Sequence, residues 1–216
     1  MAGAYDFKKE FKDLYLPGAT PCVIAVPQML FIMVDGKGDP NTSEEYRTAL
    51  EILYGLSYAI KMSKMSGTQP EGYFEYVVAP LEGLWWGEEE VFDGTNITDK
   101  DQFCWTSMIR QPGFVTQDVF ESAKQALQKK KTALDLSPAR FVSFTEGLCA
   151  QIMHTGSYDD EPGTIEVLER FITDAGYRND ISDNRRHHEI YLNDPRKTAP
   201  EKRKTVIRHP ISKHEG

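Results

Sequence analysis

The chain has 216 residues, 40% of them apolar and 27% charged, which suits one large domain or two small halves around a sizeable core and excludes a disordered chain. Its formal net charge of −8 disfavours nucleic acid as the main partner, and no apolar run approaches the roughly 20 residues that cross a bilayer. Cys22, Cys104 and Cys149 are far apart and lack C-x-x-C spacing, which excludes a disulfide scaffold and a structural zinc site. With charges at Asp6, Lys8, Lys9 and Glu10 the start of the chain lacks signal-peptide character, so a reducing cytoplasm is expected.

In chain order, the apolar run 29–34 predicts a strand ending at Asp35-Gly36. Thr42-Ser43-Glu44-Glu45 reads as a capping box with Thr42 as N-cap, followed by Tyr46, Ala49, Leu50, Leu53, Leu56 and Ile60 at helical spacing. The aromatic and β-branched run 73–78 predicts a strand closed by Pro80, and 102–109 another that ends at Pro112. Residues 116–131 form a helix with Val119, Phe120, Ala123 and Leu127 on one face. The order then recurs: a strand at 148–154, a loop at 157–163, a helix carrying Ile165, Leu168, Phe171 and Ile172, a strand at 187–192 closed by Pro195, and a strand at 205–208 closed by Pro210. Ile32-Met33 before Gly36 matches Ile152-Met153 before Gly156, and Glu75 stands where Glu189 stands in the second half.

The expected fold is therefore α+β: a single domain over 1–216 made of tandem pseudo-twofold βαββ repeats at about 22–112 and 140–212, linked by helix 116–131. Each half leaves one sheet face uncovered, so the pair would form an antiparallel sheet with helices on one face and a central ligand groove on the other. The stretch 185–213, with nine Lys/Arg against Glu189, Asp194 and Glu201, lacks interleaved aromatics and reads as solvated surface.

Strand parity singles out Glu189. Ile190, Leu192 and His188 would pack toward the helices, leaving Glu189, Tyr191 and His187 on the groove face. A carboxylate beside a phenol suits binding a cation or activating a water, and partial burial would make it a better base. The adjacent Trp85 and Trp86 cannot both face the core of an extended segment. Trp105 lies in a strand, Tyr158 just past a strand end, and His154 near the groove end of its strand. His187 and Glu189 share a face but lack a third metal ligand, so no metal is expected.

These residues sit in segments that resemble the gyrase-inhibitor-like (GyrI-like) small-molecule-binding family: 74–86, 108–114, 146–154 and 187–196, the last being the most specific. The similarity runs from Pro21 onward and is to the stand-alone branch without a DNA-binding segment. It implies an SHS2-type tandem fold around an aromatic pocket in which Glu189 meets cationic aromatic compounds. Some stand-alone members are hydrolases that open the cyclopropane of cyclopropyl-cyclohexadienone genotoxins, a detoxification needing no cofactor. By this resemblance Glu189 and Tyr191 would be catalytic, and Trp86, Trp105, Tyr158, Tyr73, His154 and Met153 would line the ligand. The expected partner is a bulky aromatic or cationic small molecule, with neither nucleic acid nor membrane, bound by a monomer or weak dimer. A passive sensor of cationic drugs and a protein-binding inhibitor are the competing classes.

Overall fold

The computed structural model describes residues 3–87 and 100–213. Two short helical turns, α1 (Phe7–Glu10) and α2 (Lys12–Tyr15), precede β1 (Cys22–Lys37), α3 (Glu44–Met62), β2 (Leu81–Trp86), β3 (Cys104–Gln111) and α4 (Gln117–Lys130). There follow β4 (Arg140–Thr155), α5 (Glu161–Asp174), β5 (Tyr177–Asn179), β6 (His187–Tyr191) and β7 (Lys204–Lys213). The long helices begin where side-chain oxygens can accept the free amides of a first turn. Ser43 Oγ accepts from Tyr46 N at 3.2 Å, one residue later than the expected Thr42 cap, and Thr116 caps α4 through Val119 N.

All the strand pairs are antiparallel, but the sheet is not open as expected. It closes as a barrel in the order β1–β3–β2–β6–β7–β4 and back to β1, with β5 added beside the end of β7. Closure rests on the 16-residue strands β1 and β4, which run far beyond their apolar centres. β4 pairs with β1 over 140–151 and with β7 over 149–155, so the ring has no unpaired edge there. β7 likewise runs past Pro210 to Lys213, because Pro210 sits at the last position of the β4 ladder.

A ring of six strands is too narrow to hold a helix, so α3 and α5 must lie outside it. α3 buries Tyr46, Ala49, Leu53, Leu56 and Ile60 in one core with Ile32, Trp105 and Ile109, and α4 joins it through Phe120, Ala123 and Leu127. α5 forms a second, smaller core from Ile165, Leu168 and Ile172 against Ala150, Ile152, Ile207 and Ile211.

Residues 73–78 are not a ladder strand. Tyr76 makes a single bridge to Tyr5, and Tyr73, Phe74 and Tyr76 pack with Tyr5 and Phe114 at centroid distances of 5.1–6.3 Å. Aromatic burial thus replaces sheet pairing, and the strand forms after Pro80 instead. Glu75 is consequently no counterpart of Glu189. It is half-exposed beside Lys64, and the residue across the ladder from Glu189 is Gly83.

The opposite face of the same strands turns into the ring and is partly ionic. His188 Nδ1 and Nε2 lie 3.0 Å from Glu146 Oε1 and 3.1 Å from Glu82 Oε2. Arg208, expected on a solvated surface, is 1% exposed and donates to Glu146 Oε2 at 2.8 Å, to Gln151 Oε1 at 3.0 Å and to the Leu14 carbonyl at 2.8 Å. Tyr15 donates to Glu82 Oε1 at 3.1 Å, so the N-terminal segment is tied to the ring interior by polar contacts from both Tyr15 and Leu14.

Candidate functional site

Ladder register places Ile152, Ile207, Glu189, Gly83, Ser107 and Val34 in one row across five neighbouring pairs. Residues paired in a ladder share a face. One end of this row lies under α5, through Ile152 and Ile207, and the other under α3, whose Tyr46 packs against Trp85 at 6.1 Å and Trp105 at 5.0 Å. Glu189 therefore stands between the two helices on the outside of the ring. The expected parity of β6 holds, with His187, Glu189 and Tyr191 together. The face does not: these three lie on the helix-bearing side, and His188 and Ile190 point into the ring. Closure has turned the helix-free face into an interior.

The carboxyl of Glu189 is held at both oxygens. Tyr191 Oη donates to Oε2 at 2.6 Å, and His187 Nε2 lies 2.9 Å from Oε1. Trp85 Nε1 donates to Tyr191 Oη at 3.0 Å, fixing the phenol in turn. Burial would raise the pKa of Glu189, but the bond and charge of His187 and the bond from Tyr191 outweigh it and hold the carboxyl below its ordinary value. Its side chain keeps 15% exposure, so solvent reaches it. Burial and the neighbouring Glu189 charge push Tyr191 well above the ordinary phenol range, which keeps it a neutral donor.

A second carboxyl faces the same space. Glu161 opens α5, is buried, and its Oε1 has no protein partner. Thr205, paired with Tyr191 in the ladder, lies beside it, and its hydroxyl favours the ionised carboxyl without overcoming burial. Burial first and Glu189 second push Glu161 well above 4.5, so it is a neutral acid where Glu189 is an anion. Ser107 Oγ and Trp105 Nε1 on this same face are buried without protein partners too. Four of the six such atoms among the described residues lie on this helix-bearing face of the sheet, with Glu161 and Thr205 nearest to Glu189.

Other expected residues divide clearly. Tyr158 is here, edge-on to Tyr191 at 5.9 Å with Arg203 over its ring at 5.3 Å, and burial raises its pKa to about 12. His154 shares the face, but its Nδ1 meets Thr164 Oγ1 at 2.8 Å and its Nε2 the Ser157 carbonyl at 2.9 Å, so it braces the turn that presents Tyr158 and Glu161. Trp105 is on the face but fully buried beneath Gly36, as core filling. Trp86 lies on the opposite parity with Arg186 over its ring at 4.8 Å, and Trp85 takes the place expected of it. Met153 pairs with Val206 and points away from Glu189. Tyr73 belongs to the distant aromatic cluster and donates to the Lys61 carbonyl at 2.7 Å. A depression of about 550 Å³ is lined by Phe7, Phe11, Met29, Phe74 and Arg110 and does not include Glu189. Glu189 meets solvent only through the opening that leaves 15% of its side chain exposed, a crevice and not a groove.

Gly83 leaves room for the Trp85 indole. A Cβ there would lie 2.6 Å from Trp85 Nε1, so Gly83→Ala must displace the indole that holds Tyr191. The expected cost is about 1–3 kcal/mol, read as a lowered Tm together with a shifted tryptophan emission.

Sequence reasoning missed Glu161, Gly83, His209 and Glu169. Glu161 follows Asp159 and Asp160 in a segment that reads as loop, and only burial separates it from its neighbours. Among the described residues no cluster of three His, Cys, Asp or Glu could hold a metal, and no helix is long and apolar enough to cross a membrane.

The family model for the GyrI-like small molecule binding domain matches residues 20–212. The chain belongs to the GyrI-like family. This GyrI-like protein is similar to an uncharacterized conserved protein from Listeria innocua, with 50% identity, a TM-score of 0.91, and coverage of 96% of this chain and 100% of the other. It is also similar to two hydrolases from Listeria innocua, at 47% and 48% identity with TM-scores of 0.87 and 0.89, covering 96% and 97% of this chain and 100% of each. The C-terminal domain of EcmrR, at 11% identity, TM-score 0.53 and coverage of 90% of this chain and 98% of that one, shares the fold alone. No curated protein matches the chain.

Proposed function

We propose that this GyrI-like protein is a cofactor-independent hydrolase of bulky, flat electrophiles of the cyclopropyl-cyclohexadienone class, detoxifying them by adding water to the cyclopropane. The observation that carries this reading is the carboxyl pair: Glu189, ionised, gripped at both oxygens and partly open to solvent, beside Glu161, neutral and with a free oxygen. Environments that drive two neighbouring carboxyls apart assign one as base and the other as acid. Similarity to two hydrolases supports an enzyme.

In this reaction water attacks the strained ring carbon while Glu189 removes its proton. The carbon–carbon bond to the dienone breaks, its electron pair aromatises the ring, and the carbonyl oxygen becomes a phenolate. Glu161 supplies the proton that turns it into a phenol, so the sum is substrate plus water and nothing else. Tyr191 holds the base instead of the phenolate, since its hydroxyl proton is committed to Glu189. Tyr158, at the edge of the crevice, is the aromatic wall best placed to meet a flat ring.

The test is incubation of the purified protein with such an electrophile, following the hydrated product by mass spectrometry. Turnover that falls about 10²- to 10⁴-fold in Glu189→Gln is expected. A carboxylate among Tyr46, Tyr158, Tyr191 and Trp85 also suits passive capture of cationic aromatic compounds. Equal product yields from wild type and Glu189→Gln, with selective loss of cationic dye binding in the variant, would favour that second reading.

A further inference from the structure

The hydrogen bonds at Glu189 continue past His187. His187 Nδ1 lies 2.7 Å from His209 Nε2, the two rings meeting edge-to-face at 4.9 Å, and His209 Nδ1 lies 2.5 Å from Glu169 Oε1. Both histidines are buried, at 2% and 0% exposure, whereas the Glu169 side chain is 33% exposed on α5. An unbroken line of short contacts therefore runs from Glu189, through β6 and β7, to the partly exposed Glu169 on α5. Asn179 on β5 donates to Glu169 Oε1 at 2.7 Å and steadies its outer end.

Counting protons shows what the line can do. Three contacts join two carboxyls through four ring nitrogens, and each contact needs one proton between its heavy atoms. Two neutral imidazoles carry only two. A fully bonded line with both carboxyls ionised thus holds one proton more, and the same total is kept if that proton sits on Glu189 with both rings neutral. These arrangements interconvert by short shifts along existing hydrogen bonds.

We propose that Glu189, His187, His209 and Glu169 form a proton conduit that carries the proton taken from water out of the crevice to solvent at Glu169. Starting with both rings protonated at Nδ1, Glu189 Oε1 gives its proton to His187 Nε2, His187 Nδ1 gives one to His209 Nε2, and His209 Nδ1 gives one to Glu169 Oε1, which releases it; each ring then returns its remaining proton from Nε2 to Nδ1 before the next passage. One proton enters and one leaves, with no change of redox state. Burial, and then the neighbouring His187, set against the bond from Glu169, hold His209 below the ordinary histidine value, which keeps it a conduit and not a sink. The other titratable groups facing the line are Tyr191 on β6, Tyr46 on α3, and Tyr158 and Glu161 at the start of α5, with His188 acting from the opposite face of β6. His209 and Glu169 are positioning residues: neither reaches the crevice.

The conduit deepens the hydrolytic reading, and its kinetic consequence rests on that reading. Two measurements on the full chain separate them. In ¹⁵N NMR spectra at fixed pH a coupling through the hydrogen bond between His187 Nδ1 and His209 Nε2 is expected, and Glu169→Gln should shift the ring nitrogens of both residues together. With the cyclopropyl-cyclohexadienone probe, Glu169→Gln should lower kcat about tenfold at unchanged KM, with recovery on adding imidazole buffer. Absence of the coupling, or a Glu169→Gln shift confined to His209, overturns the conduit whatever the turnover. Coupled rings in a wild-type protein that hydrolyses nothing uphold the conduit and overturn the hydrolytic reading instead.

Discussion

Glu146→Gln is expected to destabilise the protein by about 3–5 kcal/mol, because it leaves the buried Arg208 without its carboxylate and His188 with Glu82 alone. Glu146 meets His188 Nδ1 at 3.0 Å and Arg208 Nη1 at 2.8 Å inside the ring, where neither cation can turn to water. Burial works against the carboxylate, yet His188 and Arg208 outweigh it and bring its pKa from the ordinary 4.5 to about 2. Burial likewise works against the His188 cation, yet Glu146 and the bond from Glu82 raise it from the ordinary 6.5 to about 9. The signs follow. A depressed carboxylate contributes stability above 4.5 that is lost as pH falls toward 2, and a raised histidine contributes stability below 6.5 that is lost as pH rises through 9. The stability that Glu146 and His188 contribute should therefore be greatest between about 4.5 and 6.5 and decline on both sides, read as the difference in urea midpoint between wild type and Glu146→Gln. In Glu146→Gln the acid decline should shrink, since the group that titrates there is gone. An unchanged urea midpoint in the variant would show that the ring interior tolerates the unpaired cations.

Much of the local architecture was legible because it depends on local chemistry. The helices announce themselves through Ser43 and Thr116 and through apolar residues at helical spacing, and the alternation of β6 puts His187, Glu189 and Tyr191 on one face without any tertiary information. Ring closure was not legible, since it depends on β4 finding both β1 and β7, pairings of residues as distant in the chain as Cys22 with Gln151 and Cys149 with Pro210. It also depends on β1 tolerating Pro27, which stands at a position that the β1–β4 ladder skips. That one long-range fact decides which face becomes interior, and so it decides the meaning of every residue placed by parity. The run 73–78 misled for the opposite reason. Its aromatic composition suits a strand, but the same rings bury as well against Tyr5 and Phe114 without one. Glu161 was hidden because a third acid after Asp159 and Asp160 looks solvated; its burial is conferred by α5 docking on β4 and β7.

Glu161 also yields the sharpest kinetic expectation. Hydrolysis by the proposed route needs Glu189 ionised and Glu161 protonated, so the pH–rate profile should be bell-shaped. The acid limb belongs to Glu189, held below its ordinary value by His187 and Tyr191 against the effect of burial. The alkaline limb belongs to Glu161, which burial and the charge of Glu189 hold well above 4.5. Tyr158, at about 12, and Tyr191, pushed well above the phenol range, stay neutral throughout and contribute no limb. Glu161→Gln keeps a hydrogen-bond donor of the same size but cannot deliver a proton. Its kcat is expected to fall about 10²-fold or more, and what activity remains should lose the alkaline limb while keeping the acid one. Glu189→Gln should do the reverse to the acid limb and also raise no alkaline compensation, because no second base replaces it. The two effects are coupled through one electrostatic contact. Removing the Glu189 charge takes away one of the three causes that keep Glu161 neutral, the others being burial and Asp159, so the alkaline limb of Glu189→Gln should move to lower pH. Profiles in which the alkaline limb survives Glu161→Gln unchanged would remove Glu161 from the chemistry and leave Glu189 to act alone.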